Sequence, residues 1–80
     1  MSDWEKAKAE KFLRFQVEVI AQSAYPDGGL AHGAVEAYYA IGLISDAGLG
    51  YWRQTIDNTV IERRAELLRQ RHAELQERMA

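Results

Sequence analysis

No proline follows Pro26 in this chain, and no glycine follows Gly50. The stretch from Asp46 onward therefore reads as one uninterrupted helix, expected over about 46–78. At about 1.5 Å of rise per residue such a helix spans roughly 50 Å. A compact chain of 80 residues has a radius of gyration of only about 12 Å. One end of the helix must leave the core, and an apolar stripe that leaves the core needs a partner.

The rest of the chain divides into two shorter helices. The first is expected over about 3–24, opened by Ser2-Asp3-Trp4-Glu5, which fits a capping box with Ser2 as N-cap and Glu5 at N3. Trp4, Phe12, Phe15 and Val19 share one side of it. Leu13, Val17, Ile20 and Ala24 form an adjacent strip. The combined face is wide enough for two packing neighbours. Glu10 and Arg14 make an i,i+4 pair. Tyr25-Pro26-Asp27-Gly28-Gly29 then breaks the chain: Pro26 fixes φ, Asp27 bonds its own backbone and the glycines accept φ > 0. A second helix is expected over about 30–41, with Leu30, Ala34, Val35, Tyr38 and Ile41 at apolar spacing. The expectation is an all-α chain: one domain, a three-helix bundle completed by self-association, with residues 66–80 projecting as an interaction helix.

The joint between the second and third helices has its own signals. Gly42 suits the left-handed C′ position, and Ser45 suits an N-cap. Ile44 and Leu49 occupy the two positions of a hydrophobic staple. Gly48 stands at N3, where a capping box would have Glu. Gly48 and Gly50 each weaken the first turns by about 1 kcal/mol relative to alanine. The run Ala40-Ile41-Gly42-Leu43-Ile44-Ser45-Asp46, followed by Leu49 and a charged helix, resembles the short helical module known as SHOCT. The resemblance covers residues 35–68. In that module a helix ends at Gly-Leu-Ile-Thr and a second amphipathic helix follows. This chain departs from it at Gly48 and Gly50, where glutamates are usual. The resemblance implies an oligomerisation or interaction element.

Along the third helix the stripe changes period. Leu49, Trp52, Ile56 and Val60 suit packing inside a bundle. Ile61, Ala65, Leu68, His72, Leu75 and Met79 instead follow a heptad, with Ala65, His72 and Met79 at a and Ile61, Leu68 and Leu75 at d. An ordinary amphipathic helix serves as the alternative reading. Arg64, Arg71 and Arg78 hold the g positions, and Glu62, Arg69 and Gln76 the e positions. Pairing this seam with itself sets arginine against arginine in either orientation, which is mildly destabilising. An acidic surface suits it better, on the first helix (Asp3, Glu5, Glu10, Glu18) or on another protein. Alternatively, the arginines splay into water over the apolar seam. The charge supports this division: residues 1–50 carry four bases and seven acids, residues 51–80 six arginines and five acids.

The interaction candidates are Tyr39, Tyr51, Arg64, Leu68, Arg71, His72, Leu75 and Arg78. A hairpin of the last two helices gathers Tyr38, Tyr39, Tyr51 and Trp52 at one end. Tyr38 and Trp52 fit core stripes, whereas Tyr39 and Tyr51 do not and are the interface candidates. His72 at a is either a tolerated core histidine or, in a dimer, one of two facing imidazoles able to act as a pH switch. His32 is expected at the surface.

Composition excludes more than it identifies. Cysteine is absent and the two histidines lie forty residues apart, so neither a disulfide framework nor a metal-ligand spacing is present. No nucleophile–base constellation, carboxylate pair or phosphate loop is found. No enzyme activity and no cofactor are expected. The N-terminus lacks a signal-peptide pattern and no stretch approaches the roughly 20 apolar residues of a membrane span, so a cytoplasmic chain is expected. The leading reading is a small interaction module, either a homodimer or a partner of an acidic protein. Chains of this type are often regulators, inhibitors or adaptors, including ones encoded by phages and mobile elements. The alternative is a helix-turn-helix DNA binder using Arg53, Arg63, Arg64, Arg69 and Arg71. Against it stand the net charge of −2 and the Gly48–Trp52 segment, which offers few base-reading donors. Membrane-surface binding ranks third, since no helix sets a lysine-rich face beside a strongly apolar one.

Overall fold

The computed structural model describes residues 3–79. Three helices make up the fold: α1 (Asp3–Gln22), α2 (Gly29–Ala40) and α3 (Asp46–Met79). No strand occurs among the described residues. The Ser2 N-cap lies outside them. Four boundaries differ from expectation by one or two residues; α2 ends at Ala40, with Ile41 as its C-cap, and α3 reaches Met79. The first helix ends at Gln22 rather than Ala24, because the Ser23 N–H closes a tighter turn on the Ile20 carbonyl and Pro26 disfavours helical backbone at Tyr25. The second starts at Gly29, one residue early, with the Gly29 N–H bonded to Asp27 Oδ1 at 2.9 Å.

The α2–α3 joint follows its local chemistry. Gly42 has φ 81°, and the chain turns there in a Schellman motif. The Leu43 N–H donates to the Tyr38 carbonyl at 2.8 Å and the Gly42 N–H to the Tyr39 carbonyl at 3.1 Å. Ser45 Oγ then caps α3 by accepting from the Gly48 N–H at 3.1 Å. Ile44 and Leu49, the staple pair, both pack against the core. The helix runs unbroken through Gly48 and Gly50.

Short loops make α2 antiparallel to both neighbours, and the bundle runs up-down-up. Near the start of α1, Lys6 and Glu10 share a cleft with Ser45, Gly48 and Trp52. At its end the Ser23 carbonyl accepts a bond from Arg63. Helices α1 and α3 are therefore parallel, and α3 outruns α1 by many residues. The core is Leu13 and Ile20 from α1, Ala31 and Val35 from α2, and Trp52, Ile56 and Val60 from α3. Leu13, Val35 and Ile56 are its largest fully buried side chains. Nothing beyond Val60 on α3 is fully buried, and residues 68–79 are exposed throughout. The molecule is consequently drawn out, 60 × 19 × 15 Å with a radius of gyration of 16.2 Å. Its surface of 5974 Å² exceeds by roughly 1,100 Å² what a compact 9.1 kDa monomer exposes.

Arg63 holds the top of the bundle together. Helix α1 has no basic residue in its last turn, so its terminal carbonyls lack a local cation. The Arg63 guanidinium supplies one from α3, bonding the Ser23 carbonyl at 2.9 Å and the Glu66 carboxylate. Its side chain is only 14% exposed. Replacement by methionine is expected to cost about 1.5–3 kcal/mol, the range for hydrogen bonds to charged groups. Urea unfolding measures it.

The glycines divide by what a Cβ would meet. At Gly33 and Gly50 it would meet nothing within 4 Å. Alanine at either site is expected to stabilise by about 1 kcal/mol, or roughly 4–8 °C in Tm. At Gly28 a Cβ would lie 2.9 Å from Ile56 Cγ2, and at Gly48 it would lie 2.9 Å from Ile44 Cγ2. Those are branched, packed methyls, so alanine there is expected to lower Tm. Thermal melts of the four variants check both signs.

Candidate docking surfaces

Two apolar surfaces are left uncovered by the bundle. The first is the far half of α3. Leu68 is 57% exposed and Leu75 45%, and Ile61 and Met79 are exposed on the same strip. Arg71 and Arg78 flank it, as the heptad reading expected, and both are exposed. His72 lies on the strip and is also exposed. Arg64 sits at the root of the arm, its guanidinium 3.5 Å from the Pro26 carbonyl. There Tyr25, Pro26, Leu67, Leu68 and Arg71 line an open groove between the α1–α2 loop and α3. The acids of α1 cannot serve the arm within one chain. Asp3, Glu5 and Glu10 belong to the N-terminal half of α1, which lies beside the start of α3, and Glu18 lines a hollow with Tyr51, Trp52 and Thr55, whereas Arg71 and Arg78 project past the other end of α1.

The second surface is the outer face of α1. The sequence offered two adjacent apolar strips. Only that of Leu13, Val17 and Ile20, joined by Ala9, turns inward. Trp4 is 65% and Phe15 58% exposed, with Phe12 and Val19 also on the surface. Phe12 makes an edge-on contact with Tyr38, ring centroids 6.3 Å apart. Lys8 lies over the Trp4 ring, 4.3 Å from its centroid, a cation–π arrangement that keeps the ammonium at the rim.

The tyrosine candidates separate. Tyr51 is exposed and stacks edge-on against its neighbour Trp52 at 5.2 Å. Tyr39 is committed to the joint, donating its hydroxyl to Asp46 Oδ1 at 2.6 Å. Tyr38 packs against the core that holds Trp52; the ring contacts are Phe12–Tyr38 and Tyr51–Trp52. His32 is half-buried and bonds Asp57 Oδ1 at 2.7 Å. Arg53 bonds Glu36 through both Nε, at 2.8 Å, and Nη2. These three links form a ladder along the α2–α3 seam. Three of the five arginines that would reach DNA phosphates already have partners within the chain: Arg53 with Glu36, Arg63 with Ser23 and Glu66, and Arg64 with the Pro26 carbonyl.

Among the described residues no three His, Cys, Asp or Glu side chains gather as a metal site, and no helix is long and apolar enough to cross a membrane. No family model, curated protein or solved structure matches the chain.

The Tyr39–Asp46 bond carries a pH signature. The hydrogen bond to Asp46, aided by the carboxylate's charge, holds the phenol proton and raises the Tyr39 pKa above the ordinary tyrosine range. Its stabilisation of the joint is therefore present below the unfolded tyrosine range and is lost as pH rises through the raised folded value. Absorbance titration is expected to show a late-ionising phenol, and Tyr39→Phe is expected to remove that late component.

Proposed function

We propose that this chain is a non-enzymatic interaction module whose recognition element is the projecting arm of α3. The partner is a protein that presents an apolar groove or helix face bordered by acidic side chains. The observation that carries this reading is the free length of α3. A strip of Leu68, Leu75 and Met79 is held clear of its own bundle, and the arginines beside it repel a second copy of themselves. Helix-in-groove recognition uses anchors at this spacing, and arginines at its rim select acidic partners and speed encounter. The resemblance of residues 35–68 to an interaction module points the same way. Protein is favoured over DNA because the net charge is −2 and the α2–α3 seam is tied by ion pairs, with Arg53 facing Glu36.

A synthetic helical peptide tests the reading. It carries leucines at a and d over three heptads, with glutamates at e and g; its control carries lysines there. Fluorescence anisotropy with the full chain is expected to show binding of the acidic peptide only, weakening as salt is raised. Arg71→Glu with Arg78→Glu is expected to weaken it about tenfold or more. Equal binding of both peptides, or of neither, contradicts the proposal.

A further inference from the structure

The outer face of α1 has a different chemistry from the arm. In a heptad frame, Phe12 and Val19 are at a, Lys8 and Phe15 at d, and Lys11 and Glu18 at g. Lys8, Lys11, Phe12 and Phe15 line one shallow apolar hollow, together with Tyr38 and Leu43. Those four residues stand at i, i+3, i+4 and i+7, the spacing of a hole that receives a knob from a facing helix. Phe15, 58% exposed, is a knob of the right kind.

We infer that α1 is a self-docking surface, on which two copies of this chain pair antiparallel with each Phe15 seated in the other's Lys8–Phe15 hollow. In this register Phe12 of one copy lies across from Phe15 of the second, and Lys8 across from Val19. The flanks then place Lys11 of one copy opposite Glu18 of the second, twice by symmetry. Neither Lys11 nor Glu18 has a hydrogen-bond or ion-pair partner among the described residues. They sit two turns apart on one helix, about 10 Å, too far to pair with each other. A parallel pair has no such match, since Lys11 would face Gln16 and Glu18 would face Ser23. The Lys8 stem lies along the apolar face while its ammonium rests on Trp4 at the rim, as lysines do at the edge of helical seams.

The arrangement fits the rest of the molecule. Tyr38 of α2 and Leu43 border the hollow and no α3 residue lines it, so the second copy meets α1 along the flank nearest α2. Because α3 runs parallel to α1, the two arms then point in opposite directions and stay free. The inference goes beyond arm docking and uses a different surface, so either can fail alone.

Sedimentation equilibrium of the full chain tests it. The expected mass is twice the 9.1 kDa of one chain. Phe15→Asp is expected to give the mass of one chain with its helical circular dichroism retained, since the ring is not part of the core. Lys11→Glu and Glu18→Lys are each expected to raise the dissociation constant about five- to tenfold, by placing like charges opposite one another. The double variant, with the charges exchanged, is expected to return to within about twofold of the original chain. Leu68→Glu on the arm is expected to leave the dimer intact. A monomeric original chain, a dimer that survives Phe15→Asp, or a double variant as weak as the single ones overturns the inference.

Discussion

The bundle depends on one core cluster, to which each helix gives one large, fully buried side chain: Leu13, Val35 and Ile56. Above and below these residues the core is thin, because α2 has only 12 residues. A three-helix core can be no longer than its shortest helix. The ladder from Tyr39–Asp46 through Glu36–Arg53 to His32–Asp57 marks the full reach of α2 along α3. Past Val60 there is no third helix to pack against. Arg63 closes that end, turning a potential gap into a cap for α1.

What lies beyond the cap follows from the same shortage. Helix α3 continues to Met79 with only the α1–α2 loop beside its first turns past Arg63, and α1 has more apolar circumference than two neighbours can cover. The two leftover surfaces differ in charge. The arm is flanked by arginines of one sign, which disfavours pairing with itself. The outer face of α1 presents both signs, spaced so that a half-turn rotation brings them together. A base that holds one surface for its own kind and extends another toward an acidic protein is a consistent use of both.

Much of this was legible from local chemistry. Gly42, Ser45 and the Ile44–Leu49 staple are local signals, and they located the joint to within one residue. The proline-free stretch after Asp46 foretold the long helix, and the change of period near Val60 marked where it leaves the core. Contacts between distant residues were less legible. Arg63 caps a helix forty residues away, and nothing near Arg63 in sequence announces that its carbonyl acceptor is Ser23. His32 and Asp57 meet only because α2 and α3 fold back on each other. Helical spacing could not say which strip of α1 turns inward, because both were apolar. Tyr38 settles the matter by meeting Phe12 at the edge, leaving Phe15 and Trp4 outside. Tyr39 looked like an interface residue because it fits no core stripe, but a residue off the stripe can also serve a joint.

The claim that most needs testing is that α3 is one helix with two kinds of support, packed up to Leu67 and unsupported beyond Leu68. Amide hydrogen exchange along α3 measures this directly. A helical stretch with no tertiary packing is marginal in water and opens locally at low free energy. Slow exchange is expected through Trp52, Ile56 and Val60 and fast exchange from Arg69 to Arg78, with added acidic peptide slowing only the second stretch. Equal protection from Trp52 to Arg78 in the chain alone would mean that the arm is already covered, and would contradict the account.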